Sequence, residues 1–312
     1  MRRSLTALPL LLAACLGPGD SAMLNEEQQF DLYSTTAQYL YEDGRLIKAQ
    51  DQAVKALEIE PDDEPMRRMI GWIRLRMGKN EDLIIAEQFF RALFDDGDDG
   101  NATLLGLGTA CERLGLAYDE ASRSSEKSER EREKNAKRAV AYWAEAREHY
   151  ERTLTEGEGD TRAMNGLQRV TALQGDLASS LAWSERLLVR AEENLLAWRA
   201  MLENSNLSTN DEEVIRKSER EAIDLSVNTH LFAASLLQRT GELRKAVEHL
   251  DETLAHRPDL AEAYSRRAQL RAKLGQNTGA ISDIDQYLRL SKHDIDHPDI
   301  QAAFDLRREL DG

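Results

Sequence analysis

Two clusters in this sequence have the residue types that metals select. His293 and His297 stand with Asp294, Asp296 and Asp299 close by, and imidazole with carboxylate is a donor set for divalent transition metals. The cluster falls in a segment broken by Pro298, where a shared helical face is not expected, so it reads as a polar connector with no metal. The run Asp95-Asp96-Gly97-Asp98-Asp99-Gly100-Asn101 invites calcium. An EF-hand register starting at Asp95 places Gly100 correctly, but puts Gly97 at a ligand position and Gly106 where a bidentate glutamate is required. It reads as an acidic turn. No glycine-rich phosphate loop, serine elbow or zinc-protease helix stands in its proper context, so no catalytic residue and no cofactor is expected.

The two cysteines have different prospects. Arg2 and Arg3, an apolar core from Leu5 to Leu12, and the box Leu12-Ala13-Ala14-Cys15 have the order of an export signal. The box resembles that of bacterial lipoproteins, which implies cleavage after residue 14, acylation of Cys15, and a tether over 15–29. Leu16 follows the cysteine where an aspartate would favour the inner membrane, so the outer membrane, on its periplasmic face, is the expectation. Cys111 lies among Leu104, Leu107 and Leu114 at helical spacing and reads as a buried structural thiol.

The elements that would carry these residues follow from a repeat. Ala234, Gly241 and Ala246 recur as Ala268, Gly275 and Ala280, 34 residues on. Each copy has an apolar face at helical spacing, a glycine to end one helix and, in the first, Pro258 to end the next. The same register fits Tyr33, Ala37, Gly44, Ala49, Ala56 and Pro61. With these positions the chain resembles the tetratricopeptide repeat family. The resemblance implies an all-α, right-handed superhelical solenoid of about seven helix-turn-helix units. The units are 30–63, 64–100, 101–160, 161–192, 193–226, 227–260 and 261–294, within an array over 30–312.

Three departures stand out. The second repeat has extra residues before Ala86 and Phe90, which predicts a longer turn or a later second helix. The third carries an insertion, Asp119 to Arg138, nearly all charged or polar. It reads as an N-terminal extension of the helix bearing Tyr142, Ala146 and Tyr150, supported by pairs such as Glu126/Arg130 and Glu133/Lys137. Beyond the last repeat, 298–312 reads as a capping helix with Ile300, Ala303, Phe304 and Leu306 on its apolar face. The tryptophans Trp72, Trp143, Trp183 and Trp198 read as packing residues.

The chain carries 57 acidic and 41 basic residues, a formal net charge of −16, which argues against nucleic acid as a partner. The resemblance nevertheless implies a concave face lined by Arg68, Trp72, Arg76, Arg113, Arg162, Asn165, Arg169, Asn228, Arg239 and Lys273, locally more basic than acidic. Arginines there suit an acidic peptide or a chain terminus. The pattern lacks the Lys/Asn clamp of chaperone-binding relatives. The expected function is a non-enzymatic interaction scaffold, tethered to a bacterial envelope and holding a protein or peptide in its groove. The alternative is an envelope spacer or assembly factor acting through the charged insertion or the convex face.

Overall fold

The computed structural model describes residues 24–156, 159–203 and 207–311. The signal 1–14, Cys15 and the first part of the tether lie outside them. Every regular element among the described residues is an α-helix: α1 (Glu26–Glu42), α2 (Leu46–Ile59), α3 (Glu64–Met77), α4 (Asn80–Asp95), α5 (Asn101–Arg123), α6 (Glu129–Glu156), α7 (Thr161–Leu173), α8 (Leu177–Leu202), α9 (Thr209–Thr240), α10 (Leu243–His256), α11 (Ala261–Lys273), α12 (Asn277–Leu290) and α13 (Pro298–Asp311). Two compact units divide the chain, one ending at Gln174 and the other starting at Gly175.

In the first unit successive helices pack antiparallel and small residues set their spacing. Ala37 on α1 and Ala49, Ala53 and Ala56 on α2 are fully buried. The helix begins at Glu26, inside the stretch expected to be tether, because Asn25 and Gln28 form a reciprocal capping box. Gly44 ends α1 in the left-handed conformation at φ 77°.

Rings from second helices wedge into glycines of the neighbouring first helices. A Cβ on Gly71 of α3 would lie 2.7 Å from the Phe90 ring, and one on Gly106 of α5 only 2.3 Å from it. Tyr150 of α6 fills the same kind of socket, 2.9 Å from such an atom on Gly108 and 2.4 Å from one on Gly166 of α7. Trp143 occupies a third socket, against Gly115.

The second repeat's expected departure takes another form. The turn is not lengthened: α4 starts two residues after Gly78, as α2 does after Gly44. The extra residues enter the first turn of α4, where buried Asp82 pairs with Arg74 at 2.6 Å. The insertion is likewise shared between two helices. Residues 119–123 extend α5, 124–128 turn, and 129–138 begin α6. The extended hairpin is held by stacked Tyr118 and Tyr142 rings, 5.5 Å apart, with the Arg138 guanidinium over Tyr118.

The second unit of the chain, α8 to α13, has two long helices at its start. Neither Leu177–Leu202 nor Thr209–Thr240 contains glycine or proline, so nothing stops either helix. Both expected boundaries, 192/193 and 226/227, therefore fall inside helices. Ala234, Leu237, Ala246, Leu250 and Leu270 then build the core that the repeat predicts. The cap α13 packs Ile300 and Ala303 beside Ala268, Ile284 and Tyr287, with Leu306 against the same cluster. Phe304, placed on the apolar face from sequence, is 40% exposed.

Candidate functional site

The first helices of the first unit, α1, α3, α5 and α7, carry most of the candidate side chains, and these helices are tied to one another by arginines. Arg76 of α3 donates to the Tyr41 carbonyl of α1 at 2.6 Å and lies over the Tyr41 ring. Arg113 of α5 donates to the Leu75 carbonyl of α3 at 2.5 Å. The two arginines hold the same place in their repeats, as do the two carbonyls. Each guanidinium satisfies a carbonyl near the end of the preceding first helix, where intrahelical donors run out and the dipole favours a cation. Both residues remain exposed, so donors are left over.

Arg68 and Arg169 are committed further inward. Arg68 donates to Thr103 at 3.0 Å and to Asp98 at 2.5 Å. Asp98 also accepts from the Thr103 hydroxyl and the Gly100 amide. Burial opposes the Asp98 charge, but the bonds from Thr103 and Arg68 outweigh it and hold the carboxyl below its ordinary pKa. The acidic turn between α4 and α5 is thus an internal anchor, with Asp96 paired to Arg67 at 2.8 Å. Arg169 grips Glu112, which is buried and also accepts from the Tyr150 hydroxyl at 2.7 Å.

The other candidates are distributed differently. Trp72 is half-buried, edge-on to Phe90 at 5.3 Å. Arg162 turns back to Asp160 at 2.9 Å and stays largely exposed, and Asn165 is half-buried. Asn228 and Arg239 on α9 and Lys273 on α11 are exposed in the other unit.

One partly buried polar cluster escaped the sequence. Arg91 of α4 bridges Glu87 and Glu145 of α6, beside Cys111 and His149. Thiol, imidazole and carboxylate are the types of a nucleophilic site, but the electrostatics oppose that chemistry. Burial, then Glu145 and Glu87, push the Cys111 thiol well above its ordinary pKa, away from the reactive thiolate. Burial also lowers the His149 pKa, and the ring packs edge-on against Phe94 at 5.8 Å.

Stacked antiparallel helix pairs, left-handed glycines at the turns and alanines at the crossings make one fold class. The chain folds as a tetratricopeptide-repeat protein. No protein-family model matches the sequence, and no curated protein does. Among solved structures, PilF of Pseudomonas aeruginosa superposes with a TM-score of 0.55 at 15% identity, over 89% of this chain and 97% of that one. A thermophilic tetratricopeptide-repeat protein of Thermus thermophilus matches with a TM-score of 0.48 at 14% identity, over 77% of this chain and 98% of its own.

Proposed function

We propose that this chain is a non-enzymatic interaction scaffold that takes an acidic segment of a partner protein along the first-helix face of its first unit. The observation that carries this reading is the repeated pair Arg76 and Arg113. Each side chain is fixed by one bond to a carbonyl of the preceding helix and still presents donors outward. Fixing the guanidinium beforehand reduces the ordering cost of binding a carboxylate. We further propose that acylated Cys15 holds the chain to a bacterial envelope, at the periplasmic face of the outer membrane. A bacterial lipoprotein's several acyl chains exceed the two signals that stable anchoring requires.

The test is a pull-down from detergent-solubilised envelopes with wild-type chain, Arg76→Ala/Arg113→Ala, and Arg308→Ala in the cap helix as an exposed-arginine control. The reading expects a partner retained by wild type and control and lost by the double variant, with loss increasing with salt. Identical recovery by all three sinks the groove assignment. Membrane fractionation of Cys15→Ala tests the anchor separately, and an unchanged membrane fraction rejects it.

A second reading rests on the extended α5–α6 hairpin, whose aromatic and cation contacts order it beyond what an ordinary repeat needs. In that reading the hairpin itself is the docking arm of a spacer or assembly factor. Replacing 119–138 with a short glycine-serine turn separates the two: a folded, partner-binding deletion removes the hairpin from consideration.

A further inference from the structure

The connector between α12 and α13 brings together what the sequence only scattered. Donor atoms of His293, His297 and Asp299 all lie within 4.8 Å of one another. The two imidazoles are stacked face to face, with centroids 3.9 Å apart and planes 13° from parallel. His297 Nδ1 and Asp299 Oδ2 are 3.7 Å apart.

Local hydrogen bonds build the turn that does this. The His293 amide donates to the Ser291 hydroxyl at 3.2 Å, the His297 amide to the Asp294 carbonyl at 3.0 Å, and the Gln301 side chain to the Ile295 carbonyl at 2.7 Å. Pro298 breaks the path between the helices, and its fixed φ starts α13 at once. The turn's own hydrogen bonds therefore set His297 back beside His293 without any shared helical face.

We propose that His293, His297 and Asp299 form a binding site for a divalent transition metal of the zinc class. Two imidazoles and one carboxylate are borderline donors that select Zn²⁺, Ni²⁺ or Cu²⁺ over the hard cations Ca²⁺ and Mg²⁺. With zinc bonds of roughly 2.0–2.2 Å, ligand atoms on a tetrahedral ion stand about 3.3 Å apart. Small rotations of partly exposed side chains close the remaining gap. His297 Nδ1 accepts only a long 3.3 Å contact from the Asp299 amide, a helix-terminal donor that water serves equally well.

The site adjoins a cavity. His293 and Asp299 also line a cavity of about 640 Å³ whose floor includes Ile284, Tyr287, Ala303 and Leu306. Three protein ligands with one open position leave room for water or an incoming carboxylate or imidazole. The bound ion would fasten the start of α13 to the end of α12 beside that cavity.

The experiment is calorimetric titration of the full chain with ZnCl₂ in a non-chelating buffer. The comparison is among wild type, His293→Ala, His297→Ala, Asp299→Asn and His230→Ala/His249→Ala. One equivalent is expected to bind wild type, with affinity at least about tenfold weaker in each of the three site variants and unchanged in the His230/His249 variant. Excess Ca²⁺ and Mg²⁺ should not compete. A Co²⁺ titration gives an independent readout, since the visible bands of a four-coordinate ion should be present in wild type and absent from His293→Ala and His297→Ala. Circular dichroism checks that these surface variants stay folded. Failure of wild type to bind one equivalent at low-micromolar zinc overturns the site. So does equal binding by wild type and the two histidine variants.

Discussion

Arg169 on α7 donates through Nε and Nη2 to both carboxylate oxygens of Glu112 on α5, at 2.5 and 2.8 Å. Glu112 is 3% exposed, so removing its partner leaves a buried charge with one neutral donor. Arg169→Met is expected to cost about 3 kcal/mol, read as a lower midpoint in urea unfolding. Arg162→Met removes a largely exposed guanidinium while Asp160 keeps its bonds from the Arg162 and Ala163 amides, and should stay within about 0.5 kcal/mol of wild type. Equal losses would show that the Glu112 pair has no special weight.

Phe90 sits between two glycines, and this reverses an ordinary rule. Glycine to alanine in a helix usually gains up to about 1 kcal/mol. At Gly106 the new methyl would meet the Phe90 ring at 2.3 Å, so Gly106→Ala should instead destabilise by about 1–3 kcal/mol. A double-mutant cycle with Phe90→Leu checks the cause, because the smaller side chain should recover part of the loss. Strict additivity would refute it.

These two contacts mark how much the sequence disclosed. The repeat register found the glycines and alanines, because their spacing follows from helix geometry alone. It gave no sign that Phe90 and Tyr150 were the rings that Gly71 and Gly108 admit, since that depends on which helices become neighbours. It found Arg76, Arg113 and Arg169 as candidates on one face. Their acceptors are backbone carbonyls of another repeat for the first two, and a distant glutamate for the third, and neither leaves a local signal. The insertion was visible as charge, but charge alone does not say how its residues divide between α5 and α6. The metal-type cluster was visible as residues of a polar connector without a shared helical face; that the connector's turn stacks the two imidazoles depends on local backbone bonds that leave no signal in residue spacing.

His230 of α9 and His249 of α10 meet Nδ1 to Nδ1 at 2.8 Å. Burial, then His249 and His256, lower His230 to about 4, and at His249 burial outweighs Glu248, Glu185 and Glu252 and lowers it too. Above the unfolded value of about 6.5 neither state binds the proton. Below it the unfolded chain takes up protons that the folded chain refuses, so stability falls as pH drops from about 6.5 towards 4. Allowing for partial exposure, the pair should contribute roughly 1–2 kcal/mol of that loss. Urea unfolding at pH 7.5 and pH 5 of wild type and His230→Phe/His249→Leu isolates it. An equal pH loss in both proteins would reject the assignment.

Cys111 should behave as a hydrocarbon until the first unit opens. It is fully buried and its thiol is held protonated by burial and by two carboxylates. A thiol reagent such as DTNB should leave it unlabelled in native buffer and modify it completely in urea. Rapid labelling of the native protein would mean that α4, α5 and α6 part readily.

The unbroken helices α8 and α9 decide how this chain can be re-engineered. In an array of separate units one repeat can be excised or duplicated like a cassette. Here, cutting out 193–226 would remove the end of α8, the start of α9 and the residues between them, and splice Glu192 directly onto Val227. That would leave one continuous rod where a hairpin stood. The smallest exchangeable block in this region is the whole pair, Leu177–Thr240, because neither helix is interrupted within it.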